Sequence, residues 1–262
     1  MRGAVAIIKK ELRSYFCSPI AYVIIGLFLF FMGVIFTKFV EIYQRYNTMQ
    51  RFGQGQGITI DKLATYLYQN MAFLLCFLTP LVTMRLFAEE KRQQTFELLF
   101  TAPIRGAGLV LGKFFAAYLL MAVMVALSFV YVLFMILWGS PDVAIIGTTY
   151  LGVMLALACY VSLGGLISAM TSSQAIAAVW TFVALLLLWL LQSIAQGMSV
   201  RWDTILGAIE VGPTLEYISP LKHFNDSLAQ GLIYAKDLVY FLSFTLLVLF
   251  LTHRVVESNR WR

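Results

Sequence analysis

Charged residues are scarce in this sequence. Only 12% of its 262 residues are Asp, Glu, Lys or Arg, whereas 61% are hydrophobic. Soluble domains carry about 25% charged residues, and a fold of this size could not cover its surface in water with half of that. The composition therefore indicates an integral membrane protein rather than a soluble one.

Histidine and cysteine are also few. The chain has 2 histidines, His223 and His253, and 3 cysteines, Cys17, Cys76 and Cys159, none of which forms a C-x-x-C pair. An odd number of widely spaced cysteines gives no disulfide framework and no metal-binding pattern. H-E-x-x-H and G-x-S-x-G are absent too, so we expect neither a metal site nor a catalytic centre.

The stretch from Gly106 to Phe114 resembles a phosphate-binding loop but lacks two of its parts. The first glycine of that motif would fall on Ala107, and the Ser or Thr after the lysine would fall on Phe114. We therefore expect no ATP or other cofactor on this chain. The net charge of +6 is interpreted as Lys and Arg in cytoplasmic loops rather than as a nucleic-acid surface.

Charge-free runs predict six membrane-spanning helices. A span needs about 20 mostly apolar residues, and a charge at mid-bilayer costs about 2.5–3.5 kcal/mol. The runs place spans at about 20–40, 64–87, 109–138, 145–170, 174–195 and 237–254, with a turn at 171–174. The predicted fold class is an all-α integral membrane protein, with residues 1–262 as a single transmembrane domain.

The distribution of basic residues predicts the orientation. An even number of spans puts both termini on one side, and that side receives most of the 19 Lys and Arg residues. By the positive-inside rule both termini are cytoplasmic. The long spans hold no ionisable residue, which argues against proton or sodium coupling inside this chain. The small residues Gly164, Gly165 and Ser168 either allow close helix approach or face lipid.

Residues 4–17 are predicted to form an amphipathic helix in the headgroup plane, which we call the elbow. Ile8, Leu12 and Tyr15 share an apolar face, and Pro19 allows a bend into the first span. The alternative is a plain extension of that span. The basic residues expected to hold the elbow at anionic headgroups are Lys9, Lys10 and Arg13.

Two further segments outside the spans have distinct patterns. Residues 88–104 combine dense charge with an apolar stripe and end in a helix-breaking proline, which suits docking to a partner groove; a solvated loop lying against lipid is the alternative. Residues 200–236 lie outside and are predicted to form a re-entrant or capping segment. Its apolar stripe consists of Ile218, Leu221, Phe224, Leu228 and Leu232, and Gly231 could end it.

The sequence resembles the ABC-2 type permeases in three segments. These are Ser18-Pro19-Ile20 at the end of the elbow, the stretch from Ala88 to Ile104, and Ser219-Pro220-Leu221-Lys222-His223-Phe224 with Gly231 after it. The second segment looks like the family's signature of an acidic-basic cluster, Thr-x-Glu-Leu-Leu and Ala-Pro. The other two, with the terminal Glu257-Ser258-Asn259-Arg260-Trp261, look closest to the gliding-motility-type branch. One departure is Gln94, where the family commonly has glycine.

The resemblance implies the permease subunit of an ATP-driven exporter in the bacterial cytoplasmic (inner) membrane. Two permease copies would lie side by side, with two separate ABC-type ATPase subunits that bind ATP and Mg. The resemblance leaves open whether an accessory extracytoplasmic protein also takes part. Residues 88–104 would be the coupling helix that fits the ATPase. The docking residues are Glu89, Glu90, Lys91, Arg92, Thr95, Phe96, Glu97, Leu99, Phe100 and Pro103. A membrane scaffold that uses an ATPase without transport is the alternative, and a membrane-embedded enzyme is a third.

Overall fold

The computed structural model describes residues 2–52, 59–94, 106–139, 141–197, 201–204, 207–210 and 217–258. The helices of its first half are α1 (Arg2–Cys17), α2 (Pro19–Arg51), α3 (Ile60–Thr83), α4 (Ala88–Arg92), α5 (Gly106–Leu127) and α6 (Phe129–Trp138). The second half contains α7 (Val143–Met170), α8 (Gln174–Gly197), the strands β1 (Arg201–Thr204) and β2 (Gly207–Glu210), α9 (Pro220–Asp226), a 3-10 turn (Leu228–Gln230) and α10 (Ala235–Ser258).

Within these described ranges, 6 stretches are long and apolar enough to cross a membrane. They are Pro19–Gln50, Ile60–Arg92, Gly106–Trp138, Val143–Met170, Gln174–Leu191 and Ala235–Ser258. The predicted helical fold class with six spans is thereby confirmed. The antiparallel pair β1 and β2 was not predicted, because strands of four residues are too short for alternation to be recognised.

Local sequence explains several helix ends. The Ser18 hydroxyl accepts a hydrogen bond from the Ile20 amide, and Pro19 occupies the first position of α2. The third span is interrupted between α5 and α6 at Ser128, whose hydroxyl donates to the Val125 carbonyl at 2.6 Å. A serine hydroxyl that takes a carbonyl from the preceding turn commonly bends a helix. The break between α7 and α8 falls at residues 171–173.

Helix α7 lies at the centre of the bundle, where it packs against α3, α5, α8 and α10. Its small residues face protein rather than lipid, since Gly164, Gly165 and Ser168 are all buried. A Cβ atom at Gly164 would lie 2.3 Å from the Thr83 hydroxyl oxygen. Glycine at this position therefore sets how closely α3 and α7 approach.

Helix α2 is longer than a membrane requires. Its 33 residues correspond to about 50 Å, compared with a hydrocarbon core of about 30 Å. Tyr43 and Gln44 line a cavity of about 210 Å³ together with Ile60, the first residue of α3. The residues of α2 from Arg45 to Gln50 are mostly exposed, and Phe52, which follows the helix, is also exposed. The last two turns of α2 therefore continue past the start of α3.

The two ends of α7 define two ends of the bundle. At its first turns, the Thr149 hydroxyl donates to the carbonyl of Leu228, in the 3-10 turn after α9. At its last turn, Ser168 meets the chain that leads into α4. Helix α1 packs against α5, and Gly106 at the start of α5 lies beside His253 near the end of α10. Both terminal helices thus reach the same end of the bundle, the end that carries α4.

Candidate functional site at the base of the loop between α4 and α5

A buried lysine joins three parts of the chain where the loop between α4 and α5 begins. The Nζ atom of Lys113 lies 3.2 Å from Glu11 Oε1 on α1 and 2.9 Å from Glu90 Oε1 on α4. It also donates a hydrogen bond to the Leu86 carbonyl. Only 2% of the Lys113 side chain is exposed, compared with 16% of Glu11 and 12% of Glu90. An ammonium group has three donors, and here each has an acceptor.

Ser168 ties the same stretch of chain to the last turn of α7. Its hydroxyl oxygen accepts hydrogen bonds from the amides of Phe87 and Ala88, at 3.1 and 3.2 Å. The hydroxyl also donates to the Met84 carbonyl at 3.3 Å. The bonding capacity of this hydroxyl is therefore fully used. One residue further along α7, the Ala169 carbonyl accepts a hydrogen bond from the ammonium group of Lys91.

Tyr15 fixes the elbow helix to the end of α3. Its hydroxyl is buried and donates to the Val82 carbonyl at 3.1 Å. If α3 continued, the Val82 carbonyl would accept a hydrogen bond from the Leu86 amide. The Leu86 amide donates to the Thr83 carbonyl instead, which leaves the Val82 carbonyl available to Tyr15. Burial and the nearby Glu11 carboxylate raise the pKa of Tyr15, so the phenol keeps its proton and remains a donor.

We call this set of contacts the loop junction, defined by Glu11, Leu86, Glu90, Lys113 and Ser168. It connects α1, α4, α5 and α7 through ionic and hydrogen bonds that are shielded from water. Ion pairs in such surroundings are strongly geometry-dependent, because each charge has lost its hydration. The arrangement binds the start of the loop to the body of the bundle, and a displacement of α4 must also displace its partners.

The elbow presents a different face to the bundle than its apolar pattern predicts. Ile7 and Tyr15 are buried and Glu11 lies between them, whereas Ile8 and Leu12 are only half-buried. The helix is rotated towards Glu11 because Lys113 supplies the charge that this carboxylate needs when buried. The predicted headgroup residues lie on the outward face and are exposed; they are Lys9, Lys10 and Arg13.

The predicted docking residues divide into two groups. Glu90 points into the loop junction, Lys91 reaches α7, Glu89 is half-buried and Arg92 is exposed. The other six lie outside the described residues; they are Thr95, Phe96, Glu97, Leu99, Phe100 and Pro103. Gln94, at the boundary, adopts a left-handed backbone with φ of 56°. This is the conformation that glycine adopts without steric cost, which gives a physical reason for glycine at this position in the resembling family.

The expectation that the spans hold no ionisable residue is wrong: charged residues lie towards the ends of several candidate spans, and two of these residues are buried. Lys113 lies within the candidate span Gly106–Trp138, and Asp237 lies within Ala235–Ser258; both are buried. Sequence reasoning counted Lys113 among the cytoplasmic basic residues because the charge-free run of the third span begins only at Phe114. The predicted span 109–138 and the observed α5, which starts at Gly106, both include this lysine. One feature of the sequence could have indicated that Lys113 is buried: apolar residues flank it on both sides, from Leu109 to Leu111 before it and from Phe114 after it.

This architecture agrees with the protein family that the sequence matches. A bundle of six candidate spans is the architecture of a polytopic membrane protein. The family model described as ABC-2 family transporter protein matches residues 5–256, and the chain belongs to this family. It is accordingly a transmembrane permease component that is not itself catalytic, and membership implies association with an ABC ATPase. No curated protein matches the sequence.

Proposed function

We propose that this chain is the permease subunit of an ATP-driven exporter of the gliding-motility-type branch. Two copies form the translocation path, and two separate ATPase subunits bind ATP and Mg. The protein lies in the bacterial cytoplasmic membrane with both termini on the cytoplasmic side. Two findings support this proposal: the family membership, and the placement of α1 and the end of α10 at the end of the bundle that carries α4.

The segment 89–103 docks on the ATPase in this proposal. Phe96, Leu99 and Phe100 fill an apolar groove, and Glu97 with the charged residues before it sets the register at the rim. Glu90 has a second role, because its carboxylate reaches inward to Lys113 at 2.9 Å. It is suited to connect the docked segment to the bundle rather than to contact the partner.

The observation that carries the proposal is the loop junction. A coupling element must be attached firmly to the helices that it moves. Lys113 binds the loop base to α1 and α5, and Ser168 binds it to α7, the central helix of the bundle. Closure of the ATPases would therefore be transmitted from α4 to these three helices together.

The elbow and the membrane surface complete the arrangement. The outward face of α1 carries Lys9, Lys10 and Arg13, all of them exposed. These cations are placed to contact anionic headgroups of the inner leaflet, each worth about 1 kcal/mol near such a surface. The same helix contributes Glu11 to Lys113. The elbow would therefore hold the loop base at a fixed depth relative to the membrane.

The test is co-purification of permease variants with their ABC-type ATPase partner. Phe96→Ala and Glu97→Lys should each reduce the bound ATPase at least tenfold and remove the response of ATP turnover to the permease. Matched controls lie at the other end of the bundle: Phe52→Ala and Glu41→Lys alter exposed residues of the same types and should retain wild-type binding. Normal ATPase binding and normal turnover coupling in both loop variants would exclude this docking segment.

A further inference from the structure

A groove of about 550 Å³ lies between α5 and α10. Its apolar residues come from both helices; they are Ala107, Val110, Leu111, Leu246, Leu249 and Phe250. Its ionisable residues all come from the last turns of α10; they are His253, Arg254 and Glu257. We call this feature the α5–α10 groove. Its volume lies within the range of about 300–1,000 Å³ that small-molecule sites occupy.

The α5–α10 groove is open to the surroundings of the bundle. Val110 at its floor is buried and Leu249 is half-buried, whereas Leu111, Leu246 and Phe250 are exposed. Both helices belong to candidate spans. The medium around the exposed apolar face of a span is lipid hydrocarbon. The apolar part of the groove is therefore presented to acyl chains.

The groove has the depth of one leaflet. Leu246 lies at the middle of α10 and Glu257 is next to its last residue. With a rise of 1.5 Å per residue, these two residues are about 17 Å apart along the helix. Half of a hydrocarbon core of ~30 Å is about 15 Å. The groove thus runs from the middle of the membrane to the surface at the end of the bundle that carries α4.

The surface end of the groove has one permanent cation and one anion. The Arg254 guanidinium lies over the Phe250 ring, 5.1 Å from its centroid, at the border of the apolar part. Its Nη1 atom lies 3.9 Å from Glu257 Oε2, which is its one acidic neighbour within 4 Å among the described residues. His253 Nδ1 lies 3.4 Å from the same oxygen. The side chains of Arg254 and Glu257 are 66% and 43% exposed, so a ligand can reach both.

These two charges fit a head group that itself carries both signs. A guanidinium binds a phosphate through two parallel N–H···O bonds. A carboxylate accepts hydrogen bonds from a primary ammonium group, which has three donors, whereas a trimethylated ammonium has none. A phospholipid head without an amine would satisfy Arg254 but would bring a second anion towards Glu257. The pair therefore favours a phosphate joined to a primary amine.

We propose that the α5–α10 groove binds one phospholipid whose head group carries a primary amine. An acyl chain lies on Val110 and Leu249, the phosphate contacts Arg254, and the ammonium group contacts Glu257. The bound lipid connects α10 to α5, the helix that carries Lys113 of the loop junction. This inference goes beyond the proposed function and does not depend on where an ATPase docks.

The test compares three lipids with the same acyl chains: phosphatidylethanolamine, phosphatidylcholine and phosphatidylglycerol. Delipidated full-length protein in detergent is titrated with each lipid, and native mass spectrometry counts the bound molecules. One molecule of phosphatidylethanolamine should bind roughly tenfold more tightly than either other lipid, the effect of one charge-assisted hydrogen bond. Equal affinity for the three lipids, or tighter binding of phosphatidylglycerol, overturns the proposal.

Two variants separate the two head-group contacts. Arg254→Gln should weaken the binding of all three lipids roughly tenfold, because each has a phosphate. Glu257→Gln should lower the affinity for phosphatidylethanolamine to near that for phosphatidylcholine. Lys236→Gln and Glu41→Gln are the controls, since they change exposed charges at the other end of the bundle and should bind as the wild type does. Wild-type affinity in Arg254→Gln, or a selectivity that survives in Glu257→Gln, overturns the proposal.

A third variant tests the apolar part of the groove. Leu111 and Leu119 of α5 are both 41% exposed, and of the two only Leu111 lines the groove. Leu111→Trp should weaken the binding of phosphatidylethanolamine roughly tenfold because the indole fills the groove, whereas Leu119→Trp should have no effect. Loss of a protein dimer in Leu111→Trp with unchanged lipid binding would assign the groove to a second copy of the chain. Unchanged lipid binding and unchanged mass would assign it to another segment of the same chain, and either result overturns the proposal.

Discussion

Replacement of Lys113 by methionine is the most informative perturbation of the loop junction. Methionine preserves much of the length and the apolar character of the side chain but removes the ammonium group. The change leaves Glu11 and Glu90 without the cation that now lies 3.2 and 2.9 Å from their carboxylates. It also leaves the Leu86 carbonyl without one of its donors.

The expected magnitude comes from the burial of the three side chains. Removal of one partner from a buried ion pair destabilises a protein by about 3–5 kcal/mol, because the remaining charge stays desolvated. Here the carboxylates retain 16% and 12% of their exposure and can recover some hydration. We therefore expect Lys113→Met to lower the free energy of unfolding by about 3 kcal/mol, at the lower end of that range.

The assay is equilibrium unfolding in mixed micelles, followed by circular dichroism. Lys38→Met is the matched control, since Lys38 pairs with Glu41 at 3.0 Å but both side chains are 71% exposed. An exposed pair of this kind contributes about 0–1 kcal/mol. The two variants remove the same group at a similar ion-pair distance, and burial is the main difference between them.

A second pair of measurements tests the sign of the interaction. Glu11→Gln should destabilise the wild type but stabilise the Lys113→Met variant by about 1 kcal/mol, because it then removes an uncompensated buried charge. The reasoning is refuted if Lys113→Met and Lys38→Met unfold alike. It is also refuted if Glu11→Gln has the same effect in both backgrounds.

Two smaller predictions concern single backbone positions, both measured by thermal unfolding in detergent. Gly164→Ala should lower the free energy of unfolding by about 1–3 kcal/mol, because the added methyl group overpacks against Thr83. Gly147→Ala, with no atom within 4 Å of its new Cβ, should leave the stability unchanged or raise it slightly. Equal effects of the two changes would contradict the close helix contact. Gln94→Gly should stabilise the protein by up to about 1 kcal/mol, because glycine adopts the left-handed backbone conformation of this position without strain. Gln93→Gly, at a φ of −83°, should destabilise the protein. A loss of stability in Gln94→Gly would show that the backbone there is not strained.

Sequence alone predicted the spans because lipid imposes one dominant constraint. Backbone polar groups must be bonded within the helix and charges must be excluded, so long charge-free runs can hardly form anything else. The break between α7 and α8 was equally accessible, since Thr171, Ser172 and Ser173 interrupt an otherwise continuous apolar run. Helix α7 ends at Met170 and α8 begins at Gln174, within the predicted turn.

The loop junction could not be predicted in the same way. Glu11 and Lys113 are 102 positions apart, and no periodic pattern relates them. Taken alone, Glu11 belongs to the polar face of an amphipathic helix and Lys113 to the edge of an apolar run. Their burial is a property of the pair, because each charge is tolerated inside only in the presence of the other. The pattern in residues 95–103 predicts a docking element, and it stays a prediction.

The excess length of α2 has a consequence for local stability. From Arg45 to Arg51 the helix has passed the start of α3, and the side chains from Arg45 to Gln50 are mostly exposed. An isolated helix of fewer than about 12–15 residues is marginal in water, since few tertiary contacts compensate its entropy. These two turns should therefore unwind from their free end many times for each opening of the bundle. Within α2, proteases and deuterium would reach these turns first, while the part between Phe28 and Met32, buried in the bundle, stays closed.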